Sequence, residues 1–178
     1  MAITRLGGAN AISGTIPQGN IANASLGAVT ALPAGVGGKV LQVVQDTLTS
    51  AFETTSTSYV DTGLTASITP SSTSNKILIL LDMGTCTVSN NANDGNGMQI
   101  LRDSTQIFED TWFLYRLGDG GRQGNVGSFH HLDTPSSTSS LTYKVQTKCR
   151  TDQAGINMNG SGSNTTAAIT LLEIAGWL

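Results

Sequence analysis

Charge is what this chain has least of. Only 12% of its 178 residues are Asp, Glu, Lys or Arg, about half the usual share of roughly a quarter, and the nine basic residues are scattered without a run. Scattered cations leave no electrostatic footprint for a nucleic-acid backbone or an anionic lipid surface, so neither is an expected partner. Long hydrophobic runs are missing as well. The longest, Ile77 to Leu81, falls far short of the ~20 residues a membrane-spanning helix needs. The N-terminus lacks both the basic start and the contiguous apolar stretch of a secretory signal. The expectation is a soluble, unprocessed chain made in a cytoplasm, with no membrane insertion.

Cysteine is equally scarce. Cys86 and Cys149 lie far apart, and in a reducing compartment their default role is that of small buried hydrophobes; a bridge between them requires their two strands to be neighbours. Helical periodicity is absent too. Apolar residues do not recur at i, i+3, i+4 and i+7 over any eleven-residue stretch of the body, while β-branched Thr, Val and Ile are everywhere.

What the chain has instead is a period of two. Leu64, Ala66 and Ile68 alternate with Thr65, Ser67 and Thr69 and stop at Pro70, which cannot donate to a ladder. Lys76 to Met83 is apolar on both faces, the pattern of a central strand sandwiched between layers. Met98 to Leu101 and Thr105 to Phe108 flank Arg102-Asp103-Ser104 at hairpin length. Leu141, Tyr143, Val145, Thr147 and Cys149 share one face, and Ala167 to Ala175 forms a last apolar strand that docks the C-terminal end. Ser/Thr/Asn/Gly loops are expected at Thr54 to Ser58, Ser71 to Asn75, Ser89 to Gly97, Gly118 to Gly124, Pro135 to Ser140 and Asn157 to Asn164. Short strands with turn signals and no helical spacers predict an all-β antiparallel sandwich of about eight to ten strands, jelly-roll-like.

The first 38 residues differ from the rest. They hold one charge, Arg5, no aromatic ring and eight glycines, a composition that buries too little apolar surface to order itself alone. Ile12, Ile16, Ile21, Leu26, Val29 and Leu32 stand as apolar pegs between Gly14, Pro17, Gly19, Gly27 and Pro33. Helix is interrupted repeatedly, so residues 1–38 read as an extended anchoring arm whose pegs dock on a partner. Gly35 to Gly38 is the hinge, and residues 39–178 are the sandwich.

Catalytic candidates weaken one by one. His130 and His131 are adjacent, so in a strand they leave on opposite faces and cannot grip one metal together. No Gly-x-Ser-x-Gly elbow is present, and both cysteines fall in strand patterns. Gly118 to Gly124 matches no phosphate-binding loop, and Ser89 to Gly97 has one carboxylate and none of the EF-hand spacing. Among Glu53, Asp61, Asp82, Asp110 and Asp119 nothing selects a hydrolytic pair. No cofactor, metal or catalytic residue is expected. Phe108, Trp112, Phe113 and Tyr115 form an aromatic cluster that reads as core or subunit interface ahead of a sugar platform; Trp112, Phe113 and Tyr115 are the candidates for a subunit-interface or receptor-facing surface.

The stretch Thr54 to Leu81, with Tyr59-Val-Asp61-Thr-Gly63 and Ile68-Thr-Pro70 followed by Asn75-Lys76-Ile-Leu-Ile-Leu-Leu81, resembles a β-sandwich module of tailed-bacteriophage virion structural proteins, often labelled fibre-like. The closing Ala168 to Ala175 and the segment Ile12 to Ile21 share the resemblance. It implies a homotrimeric knob fixed to a particle by its N-terminal arm, with no catalytic residue to carry over. The expected role is a capsid decoration or cement protein on the phage surface, assembled in the host cytoplasm. The alternative is a short tail fibre whose loops touch a host surface glycan.

Overall fold

The structure is a computed structural model that describes residues 39–89, 94–116, 123–151, 155–158 and 165–176. The arm, its six pegs, its glycine hinge and Asp119 lie outside the described residues. The described chain is all β, in ten strands: β1 Val40–Leu48, β2 Phe52–Thr54, β3 Val60–Ile68, β4 Lys76–Ser89, β5 Asp94–Arg102, β6 Thr105–Arg116, β7 Gln123–Asp133, β8 Leu141–Cys149, β9 Gly155–Met158 and β10 Ala167–Ile174. Among the described residues no helix is long and apolar enough to cross a membrane.

Two antiparallel sheets face each other. The four-stranded sheet runs β3-β8-β5-β6. In the six-stranded sheet β4 is the spine: β10 pairs with its first half and β9 with its last four residues, while β7 runs along the other edge. β1 closes the β10 side and β2 closes β9. Without the short β2 and β9, the orders are β1-β10-β4-β7 and β3-β8-β5-β6, four nested antiparallel pairs (β1 with β10, β3 with β8, β4 with β7, β5 with β6) rolled into two layers. That winding is the jelly roll, as the turn spacing predicts.

The period-two reading holds where it was clearest. Leu64, Ala66 and Ile68 of β3, and Leu141, Tyr143, Val145, Thr147 and Cys149 of β8, all point into the core. They meet Ile77, Ile79, Leu81 and Met83 of β4 and Ile169 and Leu171 of β10 from the opposite sheet. The hairpin at Arg102 is a two-residue turn with Asp103 at φ 54, a left-handed position that Asp tolerates better than most residues. Asp103 ties the turn to β8, donating its N–H to the Thr142 carbonyl at 2.7 Å and accepting the Thr142 N–H at 2.9 Å.

Four expectations change. The outward face of β4 is open rather than sandwiched: Leu78 is half-buried and Leu80 is 43% exposed, because the described residues form two layers and no third among them covers it. The loop expected at Ser89 to Gly97 is shorter, since Asp94–Gly97 already pair with β6 and β8; glycine and asparagine are poor strand formers, and pairing on both edges overrides that. Gln123 and Gly124 likewise open β7, paired with β4 alone, and Asn157 and Met158 close β9, paired with β4 and β2.

Candidate functional site

The aromatic cluster splits in two. At the β5–β6 pair Met98 faces Asp110 but Asn96 faces Leu114, so β6 carries two extra residues and bulges. Such a bulge re-aims side chains, and the Trp112 N–H, donating to Asp110 Oδ1 at 2.9 Å, holds it. Phe113 turns inward onto Phe129, ring centres 5.8 Å apart, and Phe129 also meets Phe108. Phe113 is therefore a core-side residue and not part of an outer surface. Trp112 and Tyr115 turn outward, 49% and 44% exposed, in an edge-to-face pair at 6.0 Å.

Gly95 is the floor of this corner. A Cβ there would lie 2.9 Å from Trp112 Cε3 and 2.9 Å from Tyr115 Cδ2, so only glycine lets both rings rest on the β5 backbone. The Arg150 guanidinium sits 5.2 Å over the Trp112 ring, a cation–π contact. Next to it, Lys148 Nζ lies 4.3 Å over Tyr59, whose hydroxyl donates to Glu109 Oε1 at 2.7 Å. Burial, then the Glu109 carboxylate, pushes the Tyr59 hydroxyl well above its ordinary range, while that hydrogen bond holds Glu109 below the usual carboxylate range. At neutral pH the pair is a fixed donor and a fixed anion. Two exposed rings set edge to face, with a guanidinium, an ammonium and a carboxylate beside them, form a mixed aromatic and charged corner.

The carboxylates do not converge. Asp61 lies on the outer face of the four-stranded sheet with Gln146 and Lys144, and Asp82 on the outer face of the other sheet. Asp110 is used by the bulge. His130 faces out and His131 is half-buried with its ring 5.7 Å from Phe108, so the two histidines diverge as their adjacency requires. Among the described residues no group of three His, Cys, Asp or Glu side chains could hold a metal. Cys86 and Cys149 are buried, unbridged and in opposite sheets; burial, then Asp82, pushes the Cys86 thiol up to about 12.

Two buried polar clusters went unnoticed in the sequence. Asp133, at the end of β7, accepts from Arg102 Nη1 at 2.8 Å on each oxygen and from the Tyr143 hydroxyl at 2.8 Å, joining the two sheets at that end. Glu173 of β10, 2% exposed, accepts from Ser71 N, Ser71 Oγ and Asn75 Nδ2 at 2.6 to 2.8 Å. Burial opposes its charge, but those donors outweigh it and hold the carboxyl below its usual range. The signal for Glu173 was a lone acid in the apolar run Ala167 to Ala175, on the face that must be buried.

No family model matches the chain, and no curated protein matches it. Solved structures of infectious bursal disease virus do. A T=1 particle of that virus aligns with a TM-score of 0.42 and 10% identity over 76% of this chain and 36% of the viral one. A VP2 subviral particle aligns at 0.40 and 10%, over 76% and 37%. A point mutant of VP2 in derived T=1 particles aligns at 0.42 and 11%, over 82% and 45%. The chain thus spans less than half the length of each of these proteins. Likeness this slight carries no argument about function.

Proposed function

We propose that this chain is a non-enzymatic structural protein of a phage particle, a capsid decoration or cement protein that docks on the head through residues 1–38 and displays a homotrimer of jelly-roll bodies. One observation carries the reading. The core between the two sheets is built from residues 64–171, and β1 and β10 close it edge to edge at the point where the arm ends, with the Ala175 N–H donating to the Lys39 carbonyl at 2.8 Å. The described core thus draws its buried hydrophobics from the body alone, and Ile12, Ile16, Ile21, Leu26, Val29 and Leu32 stand in the sequence as the apolar pegs that would dock on a partner. The jelly roll is a frequent shell-building fold, although fold alone assigns no function.

Deleting residues 2–34 tests the docking role: the shortened chain should stay folded and no longer join particles, and unchanged occupancy sinks the proposal. Copy number tests the address, since decoration requires hundreds of chains per particle and a tail fibre far fewer. The exposed Trp112–Tyr115 corner favours the second reading, a short tail fibre binding a host surface glycan. A glycan array would support it through specific binding that Trp112→Ala removes.

A further inference from the structure

We infer that the outward face of the six-stranded sheet is the surface through which copies of this chain pack against one another; this rests on the homo-oligomeric body proposed above and names its contact face. The registers set Val43, Leu172, Leu78 and Leu132 in one row across β1, β10, β4 and β7. Cross-strand neighbours lie ~5 Å apart, so the row is a continuous apolar stripe. The next row adds Leu80, and the preceding one Val40 and Ile174, with Leu41 at the register shift beside them. Val40, Leu41, Val43, Leu80 and Leu132 are 43–59% exposed.

The other sheet shows what a solvent-facing surface looks like in this protein. Its outer face pairs Ser67 with Thr142 and Gln146 and Lys144 with Asp61. One face completes its own hydrogen bonds, whereas the other presents leucine and valine.

Area and charge point to a second copy as the occupant. The patch is on the order of 500 Å² of apolar surface, at the upper end for a monomer. With its polar border, including the shallow 410 Å³ cleft lined by Gln45, Asp82, Ser128, His130 and Thr170, it approaches the ~800 Å² per partner of a stable interface. The chain carries a net charge of −3, so a neutral face is one through which copies can meet without adding to their mutual repulsion. This one is neutral: along β4 the outward residues read Lys76, Leu78, Leu80, Asp82, a cation at one end and an anion at the other.

The test is the mass of the full chain by light scattering and sedimentation. The unaltered chain should be an oligomer at micromolar concentration. Leu80→Arg and Leu132→Lys, both at exposed positions, should give folded monomers with self-association at least 100-fold weaker, while Ser67→Arg on the opposite face should leave the mass unchanged. Leu80→Cys should form a disulfide between copies on oxidation where Ser67→Cys does not. Oligomers that keep their mass in both leucine variants, or cross-link only through Ser67→Cys, overturn the assignment without touching the docking role of the arm. An unaltered chain that stays monomeric overturns it too, together with the oligomeric body, and leaves the face to a different partner; particle occupancy tests docking separately.

Discussion

Removing Asp133 asks what holds the two sheets together at one end. Its side chain is 9% exposed and sits in the six-stranded sheet, while Arg102 and Tyr143 reach it from the other. In Asp133→Ala the guanidinium keeps its charge with a side chain only 22% exposed, and the fully buried Tyr143 keeps a hydroxyl without its acceptor. Breaking a buried pair from one side costs about 3–5 kcal/mol; the partial exposure of Arg102 places this case near 3 kcal/mol. Tyr143→Phe takes away one donor and leaves the ion pair, for about 1.5 kcal/mol. The double variant Arg102→Met/Asp133→Leu, which removes both charges but still leaves the Tyr143 hydroxyl without its acceptor, should recover only part of the loss. Urea unfolding at one fixed protein concentration reads all three, because the proposed self-association would make the midpoint concentration-dependent. At ~2 kcal/mol per molar urea, Asp133→Ala should lower the midpoint by about 1.5 M. A midpoint within about 0.3 M of the unaltered chain would refute the clasp.

Glu173 sets an acid limit. Its carboxyl titrates below the ordinary value of 4.5 in the folded protein, so the unfolded chain takes up the proton first; the stability it contributes is whole above pH 4.5 and drains away as pH falls through the folded value. Urea midpoints should therefore fall below pH 4.5, and less steeply in Glu173→Gln; equal slopes would remove Glu173 from the account. Gly63 stands at φ +88, and a Cβ there would meet only Leu48 Cδ1 at 3.8 Å, an ordinary contact, so Gly63→Ala should cost about 1–2 kcal/mol through backbone strain, visible as a lower urea midpoint. Cys86, with its thiol pushed up to about 12, should resist alkylation at pH 8 in the folded chain and react only in denaturant, as mass spectrometry of the labelled protein would show.

How much of this was legible depends on how local the signal was. β8 could be read completely, because one face is apolar and the other is Thr, Lys, Gln and Lys, so a one-residue slip would expose every core side chain. The all-β, jelly-roll-like sandwich followed from turn spacing and the lack of helical spacers, whereas the order in which the strands pair did not, because it is set by contacts distant in sequence. Lys76 to Met83 misled for a physical reason: a strand apolar on both faces reads the same whether its second face meets another layer of its own chain or nothing within it. β9 is invisible in sequence because Gly155–Met158 is four residues long and owes its extended form to the last residues of β4. The Arg102–Asp133–Tyr143 clasp joins residues up to 41 positions apart through the winding itself, and no motif spacing announces it.

The low charge that marks this sequence fits the division between the two faces. On the four-stranded sheet the outer face mixes Ser67, Thr142, Gln99 and Gln146 with the ion pairs Lys144–Asp61 and Lys148–Glu109, so most of its charges are matched by an opposite one. Net charge far from zero keeps proteins apart, and repulsion grows as many copies crowd onto one particle. An outer face whose charges are paired keeps that cost low, and in the proposed packing the neutral apolar face on the opposite sheet adds none. Replacing outer-face Thr65, Ser67 and Thr142 with glutamate would leave the inner core untouched, yet it should reduce the number of chains a particle holds; unchanged loading would separate the chain's composition from its assembly.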